Sequence, residues 1–183
     1  MENKKVNPLT LQSKQWLLDA LLHLMKEKAY GEITVKELTE QAGLDRKTFY
    51  RNFKTKEDIL RLPMKAACDK YVAALKALSD LSSYNMTKAY FTICLEYIDF
   101  FKLLNQHTML LFVLMQFEEY LPNLNEMFSG DPTYRKKPDY ELAYQAGGFW
   151  NATVRWINNG LKETPDEIAH MIASIMPPST ISG

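Results

Sequence analysis

Basic and polar side chains that can bind nucleic acid are concentrated in residues 46–56. This segment carries Arg46, Lys47, Arg51, Lys54 and Lys56 without an Asp or Glu among them, together with Thr48, Tyr50 and Asn52. Proteins use such cationic, hydroxyl and amide groups to bind DNA phosphates and base edges. A solvated basic face is the alternative interpretation of any such run. DNA binding therefore requires a local fold that presents these side chains together.

Two short helices around a glycine turn would provide that fold. Thr34 and Glu37 form a capping box, in which each side chain binds a backbone amide of the first helical turn. Gly43 suits the left-handed conformation that ends a helix, and Asp45 can cap a second helix that begins at Arg46. The pattern predicts a helix-turn-helix whose second helix carries the basic segment.

The position of each residue on the second helix suggests its role. The N-terminal part of such a helix meets the base edges in the major groove, so we expect Arg46, Lys47 and Thr48 to read bases. Tyr50, Lys54 and Lys56 are expected to hold phosphates. The complete predicted DNA-binding set is Thr34, Arg46, Lys47, Thr48, Tyr50, Asn52, Lys54 and Lys56.

Residues 17–60 resemble the DNA-binding domain of the TetR (tetracycline-repressor) family of bacterial transcription regulators. The resemblance is carried by Gly31, Thr34, Ala42, Gly43, Thr48, Phe49, Tyr50, Phe53, Lys56, Glu57, Asp58, Ile59 and Leu60. It implies an all-α protein with a three-helix helix-turn-helix domain at residues 1–60 and a helical regulatory and dimerisation domain at residues 61–183. Asp45, Arg46 and Lys47 depart from the Ser and small residues common in the family, which leaves the operator sequence open.

The charge distribution agrees with this division. The 183-residue chain has no net charge, but residues 1–61 hold 12 basic and 9 acidic residues and the remainder holds 10 and 13. Basic charge is therefore concentrated in the part that carries the motif. With 46% apolar residues, the chain is able to bury a real core.

Other classes of function lack their signatures in the sequence. Cys68 and Cys94 have no thiol or His at metal-ligand spacing, and we interpret them as packed, reduced thiols. There is no phosphate loop and no nucleophile elbow. We therefore expect no enzyme, no metal and no cofactor. The polar N-terminus and the lack of an apolar run of about 18 residues favour a bacterial cytoplasmic protein, nucleoid-associated when bound to DNA and not in a membrane.

Helical periodicity continues through most of the chain. We expect a first helix at residues 11–28 and a fourth at residues 55–78, with a kink or brief interruption near Arg61 caused by Pro63. A fixed kink could set the angle between the domains, or it could have no regulatory meaning. Residues 86–104 and 108–120 are predicted to be two helices, and residues 122–138 a loop or short helices.

These middle helices are rich in aromatic residues, which favour either a ligand pocket or ordinary core packing. An apolar pocket with a few polar groups is the usual form of a small-molecule site. The candidate pocket residues are Tyr90, Tyr97, Phe101, Phe112, Met115 and Phe117.

Two amphipathic helices are predicted at the C-terminal end, at residues 139–159 and 165–176. In the TetR family the corresponding helices meet a second subunit as a four-helix bundle, although the same stripe could pack within its own subunit. The candidate dimer residues are Ala143, Ala146, Gly147, Trp150, Val154, Ile168, Met171, Ile172 and Ile175.

Together these patterns favour a homodimeric repressor that binds a palindromic operator in double-stranded DNA and releases it on binding an unknown small molecule. A TetR-like activator that works with a partner protein is the alternative. A helical enzyme is the alternative from a different class.

Overall fold

The computed structural model describes residues 8–131 and 136–176. In these residues the secondary structure is helical. The helices are α1 (Pro8–Glu27), α2 (Val35–Gln41), α3 (Arg46–Asn52), α4 (Lys56–Lys76), α5 (Ser83–Glu96), α6 (Ile98–Gln106), α7 (Leu110–Met127), α8 (Asp139–Asn158) and α9 (Pro165–Ala173), with one 3₁₀ turn at Tyr30–Glu32. The predicted all-α fold class is confirmed.

The chain divides into two compact units, of which the first ends at Met64 and the second begins at Lys65. This division falls inside α4, a few residues after the domain boundary predicted from the sequence. In the first unit α1, α2 and α3 contact one another. The second unit begins with the rest of α4 and contains α5 to α9.

The helix-turn-helix forms where the capping residues predict it. The Thr34–Glu37 capping box is complete, and Asp45 caps α3. Gly43 has a φ of 65°, a left-handed conformation that Gly adopts without steric cost. The apolar side chains buried most deeply in this unit are Leu17, Leu21, Met25, Ile33, Leu38, Phe49, Ile59, Leu60 and Met64. Burial of this core fixes α3 against the other helices.

The second unit is held by the contact of α5 with α9 and of α7 with α8. Phe91 is fully buried, and its ring meets Trp156 edge-on at 5.6 Å between centroids. A separate apolar cluster contains Leu75, Leu81, Leu124 and Phe128. The C-terminal prediction is confirmed in its main features, since α8 covers most of residues 139–159 and Thr164 forms a complete capping box at α9. The last predicted residue of α9, Met176, lies beyond its end at Ala173.

The structure differs from the sequence predictions at three helix breaks. Residues 86–104 form two helices, because the backbone leaves the helical conformation at Tyr97 although no Gly or Pro marks that position. In contrast, α7 continues through Pro122 to Met127. Helix α4 also continues through Pro63, so the predicted interruption is absent, while the alternative of a kink stays a prediction. A proline removes one backbone hydrogen bond, and buried residues on both sides can outweigh that loss. Leu124 follows Pro122, and Leu60 and Met64 flank Pro63, in such buried positions.

No helix in the described parts of the chain combines the length and the apolar content needed to cross a membrane.

Candidate nucleic-acid interface

Helix α3 is fixed at its start by Asp45 and along its inner face by two phenylalanines. The Asp45 carboxylate accepts a hydrogen bond from the Thr48 backbone N–H at 2.6 Å, and this bond lowers the pKa of Asp45. Phe49 is fully buried and Phe53 nearly so, with 6.2 Å between their ring centroids. These contacts leave the opposite face of α3 in solvent.

The exposed face of α3 and of the residues just after it carries the basic side chains. Arg46, Lys47 and Lys54 are exposed, and their side chains make no hydrogen bond or ion pair with any other described residue. Tyr50 is 62% exposed, and its ring meets Phe49 edge-on at 5.1 Å. Cationic groups that are not used inside the protein are available to an anionic partner.

Thr34 lies at the start of α2 and uses its hydroxyl within the capping box. The hydroxyl accepts a hydrogen bond from the Glu37 N–H at 3.2 Å and donates one to the Glu37 carboxylate at 2.8 Å. A hydrogen bond from Lys28, followed by the bonds from Thr34, lowers the pKa of Glu37 to about 2. Thr34 therefore organises the first turn of α2, and the residue is exposed to solvent.

Asn52 is half-buried and uses its amide group inside the first unit. Its Nδ2 donates hydrogen bonds to the Thr48 carbonyl at 2.9 Å and to Ser13 Oγ on α1 at 3.2 Å. Since an amide has two N–H donors, only Oδ1 is left for another partner. The DNA contact predicted for Asn52 thus stays a prediction, and its observed contacts join α3 to α1.

Lys56 is also half-buried. Its ammonium donates hydrogen bonds to the Tyr30 carbonyl at 2.9 Å and to the Ile33 carbonyl. The ammonium also lies 4.5 Å from the centroid of the Tyr30 ring. The phosphate contact predicted for Lys56 stays a prediction, but these contacts use the ammonium within the protein.

Two further cations of the first unit were not in the predicted set. Lys36 is exposed in the first turn of α2 and lies 3.8 Å from Glu40. Lys14 lies on α1, with its ammonium 5.8 Å from the centroid of the Phe53 ring. The basic run that marked residues 46–56 does not extend to either residue, and the contact of Lys14 with Phe53 places a cation beside the end of α3.

The candidate pocket residues of the second unit lie in different environments. Tyr90 and Phe101 are buried, Tyr97, Phe112 and Phe117 are half-buried, and Met115 is 51% exposed. Tyr90 lies 6.4 Å from Phe117 between ring centroids, and its hydroxyl is 3.1 Å from Thr153 Oγ1. Phe101 instead packs against Trp150 at 6.1 Å. The structure therefore brings Tyr90 and Phe117 together.

Gln116 on α7 is a polar residue that the prediction did not include. Its side chain is only 3% exposed and makes no hydrogen bond to any residue within 8–131 or 136–176. It lies on the same helical stripe as buried Val113 and Leu124.

The candidate dimer residues fall into three groups. Within the protomer Ala146, Trp150 and Ile168 are buried, Gly147, Val154 and Ile172 are half-buried, and Ala143, Met171 and Ile175 are exposed. The sequence prediction missed Tyr140 and Tyr144, which are 93% and 82% exposed. The exposed members and these two tyrosines are the ones available to a second subunit.

In the described part of the chain, the cysteines do not form a reactive thiol site and the potential metal ligands do not form a metal site. Burial raises the pKa of the Cys68 and Cys94 thiols to about 12 in each case, which disfavours the reactive thiolate. No group of three or more His, Cys, Asp or Glu residues comes together there in an arrangement that fits a metal ion.

Family models match both parts of this arrangement. Residues 17–62 match the model of bacterial regulatory proteins of the tetR family. Residues 82–178, more than half of the chain, match the model of a transcriptional regulator C-terminal region. The chain belongs to the TetR family of transcriptional regulators.

Individual known proteins are similar at low identity. The chain is 24% identical over 89 residues to the HTH-type transcriptional regulator YxbF of Bacillus subtilis (strain 168), a match that spans 48% of this chain and 23% of that protein. The crystal structure of Lin0861 from Listeria innocua has a TM-score of 0.80 at 14% identity, covering 94% of this chain and 93% of that one. The dihydroxyacetone kinase operon activator DhaS has a TM-score of 0.52 at 20% identity, covering 89% and 93%. The two structures establish a shared fold.

Proposed function

We propose that this TetR-family regulator is a homodimeric repressor that binds a palindromic operator through α3. The observation that carries the proposal is the exposed face of α3, a helix without acidic residues, where the side chains of Arg46 and Lys47 make no hydrogen bond or ion pair with a described residue. The N-terminal residues of α3 would read base edges, and Tyr50 and Lys54 would contact phosphates. A palindromic site requires two copies of α3 about one DNA turn, or a multiple of it, apart.

The second subunit would pack against α8 and α9. Ala143, Met171 and Ile175 are exposed there, and Gly147 has no neighbour within 4 Å of the position that a Cβ would occupy. An interior helical glycine costs roughly 1 kcal/mol relative to alanine. Close approach of a partner helix would give this glycine a function.

Control by a small molecule is the second part of the proposal. The inner stripe of α7 combines aromatic Phe117 with the buried amide of Gln116, which is a suitable lining for an apolar ligand with one hydrogen-bonding group. A ligand would release DNA only if it bound the DNA-free arrangement more tightly than the DNA-bound one. The other candidate residues, Tyr97, Phe101, Phe112 and Met115, would contribute only if they reach the same site.

Activation is the alternative outcome of the same binding mode. DhaS, which shares the fold, is described as an operon activator, and an activator would need a partner protein as well as the operator. The DNA-binding surface is the same in both cases. Transcription from the bound promoter distinguishes them.

The test measures binding of the full chain to DNA from upstream of its own gene by fluorescence anisotropy, followed by transcription in vitro from the same fragment. We expect tight binding to one site, with affinity that falls steeply between 50 and 200 mM salt, as is typical of several phosphate contacts. Reduced transcription supports a repressor, and increased transcription supports an activator. Binding that is insensitive to salt, or absent from all upstream fragments, would overturn the proposal.

A further inference from the structure

The first residue of α4 is a lysine in an electrostatically unfavourable place. The N-terminus of a helix carries partial positive charge, so acidic residues are stabilising there and a cation is not. Glu57 and Asp58, the next two residues, follow this rule and Lys56 does not. Another interaction must therefore favour Lys56 at this position.

Two backbone carbonyls supply that interaction. Lys56 Nζ donates one hydrogen bond to the Tyr30 carbonyl at 2.9 Å and another to the Ile33 carbonyl. Bonds from a charged donor are roughly twice as strong as neutral ones. Tyr30 begins the 3₁₀ turn between α1 and α2, and Ile33 directly follows that turn. The Lys56 side chain therefore connects the start of α4 to the backbone segment that directly precedes α2.

The environment of the ammonium leaves little room for a phosphate. An ammonium has three N–H donors, of which the two carbonyls take two. The Tyr30 ring lies on the same ammonium, 4.5 Å away at its centroid, as in a cation–π contact. Burial lowers the pKa of Lys56, which is the expected effect of removing an ammonium from water.

The location of the two carbonyls makes this contact important for α2. Ile33 is 2% exposed and directly precedes Thr34, the N-cap of α2. A bond to the Ile33 carbonyl therefore fixes the backbone that orients the first turn of α2. In the other direction α4 continues past the end of the first compact unit at Met64.

We propose that Lys56 is a positioning residue that ties the start of α4 to the entrance of α2 and does not bind DNA phosphate. It acts on DNA affinity by holding α2, and through α2 the turn that leads into α3, in the orientation used for binding. The effect on affinity rests on the DNA binding proposed above, whereas the effect on the fold does not.

The experiment compares Lys56→Met with Lys54→Met in the full chain. Both changes remove one ammonium and keep an unbranched side chain, but only Lys54 is exposed and unpaired among the described residues. Thermal unfolding and the salt dependence of DNA affinity are measured for both variants and for wild type. Amide hydrogen exchange is measured on the same proteins below their unfolding temperatures at Glu37 and Leu38, whose N–H groups donate to Thr34 in the first turn of α2.

For Lys56→Met we expect a lower midpoint of unfolding, faster exchange in the first turn of α2, and an unchanged slope of log affinity against log salt. For Lys54→Met we expect an unchanged midpoint and a slope reduced by about 0.9, the value for one lost phosphate contact. A reduced slope for Lys56→Met, with or without a change in the midpoint, would overturn the proposal, because it would identify a phosphate ligand. An unchanged midpoint together with unchanged exchange would overturn it as well.

Lys56→Arg keeps the charge but presents a planar group that does not fit two carbonyls and a ring in the same way. We expect it to restore only part of the lost thermal stability. If wild type bound no DNA, the proposed function would fail, and the unfolding and exchange results would still decide whether Lys56 holds α2. If Lys56→Met did not fold, the same two measurements on Lys56→Arg would decide, with wild-type values counting against the proposal.

Discussion

Asn52 Nδ2 on α3 donates a hydrogen bond to Ser13 Oγ on α1 over 3.2 Å. The two residues are 39 positions apart in the sequence, and Ser13 is only 4% exposed. Helix α3 is therefore held against α1 by a specific hydrogen bond as well as by the packing of its apolar face.

Removing this contact should weaken the fold and the orientation of α3 together. We expect Asn52→Ala and Ser13→Ala each to lower the free energy of unfolding, with a coupling energy of about 1 kcal/mol in a double-mutant cycle. Both variants should bind all DNA sequences more weakly without a change in base preference. Urea unfolding and anisotropy titrations measure these effects. If only Asn52→Ala lost affinity, Asn52 would be a direct DNA contact, as the sequence suggested.

Arg46 and Lys54 should separate base recognition from phosphate binding. Arg46→Ala is expected to cost about 1 to 3 kcal/mol on the preferred operator and to relax specificity at one base pair, as for loss of a bidentate guanine contact. Lys54→Ala should weaken binding to every sequence alike and flatten the salt dependence. Titrations against a set of operators with single base substitutions test both. If Lys54→Ala relaxed specificity and Arg46→Ala weakened all sequences alike, Lys54 would be the base contact and Arg46 the phosphate contact.

Glu37, in the capping box of α2, makes a contribution to the stability of the folded protein that depends on pH. The pKa of Glu37 lies at about 2 in the folded protein, against an ordinary value of 4.5, mainly because of its hydrogen bond with Lys28. Because protons then bind more tightly to the unfolded chain, this stabilisation is complete above pH 4.5 and is lost as the pH falls towards 2. Thermal midpoints measured across this range should fall less steeply for Glu37→Gln than for wild type. Equal slopes would show that Glu37 does not contribute.

Gly147 tests the predicted dimer interface on α8. Replacement by leucine should raise the dimer dissociation constant at least tenfold, because a bulky side chain would separate closely packed helices. Gly147→Ala should stabilise the isolated helix by roughly 1 kcal/mol, since its Cβ meets nothing within 4 Å in the protomer. Lys102→Leu, at an exposed position of α6, is the control for added apolar surface. The dimer dissociation constants are measured by sedimentation equilibrium. Equal values for wild type and Gly147→Leu would show that this part of α8 is not in the interface.

Gln116 and Asn125 are buried amides on the same helix with opposite surroundings. Asn125 accepts a hydrogen bond from the Lys137 N–H at 2.9 Å and donates one to the Lys137 carbonyl at 2.6 Å, whereas Gln116 has no partner among the described residues. Without ligand, Gln116→Leu should therefore not lower the free energy of unfolding, whereas Asn125→Leu should lower it by about 1 to 3 kcal/mol. Urea unfolding measures both. A loss of stability in Gln116→Leu would show that its amide is satisfied in the unliganded protein.

Local chemistry made the helix-turn-helix predictable. The Thr34–Glu37 box, Gly43 and Asp45 act on backbone groups within a few residues of themselves, so their effect can be read without knowing the rest of the fold. The buried pair Phe49 and Phe53 follows in the same way from helical spacing. Proline was a less reliable guide, because Pro63 and Pro122 lie inside helices that tertiary packing maintains.

The sequence by itself determined which segment is basic, where α2 and α3 begin, and that the chain is helical, because these properties depend on neighbours along the chain. Only the tertiary structure decided which polar groups remain available to a partner. Lys56 and Asn52 have the residue types of DNA ligands, but their partners lie 26 and 39 residues away at Tyr30 and Ser13. Packing brings these groups together, and it leaves Arg46, Lys47 and Lys54 exposed on the face opposite the core.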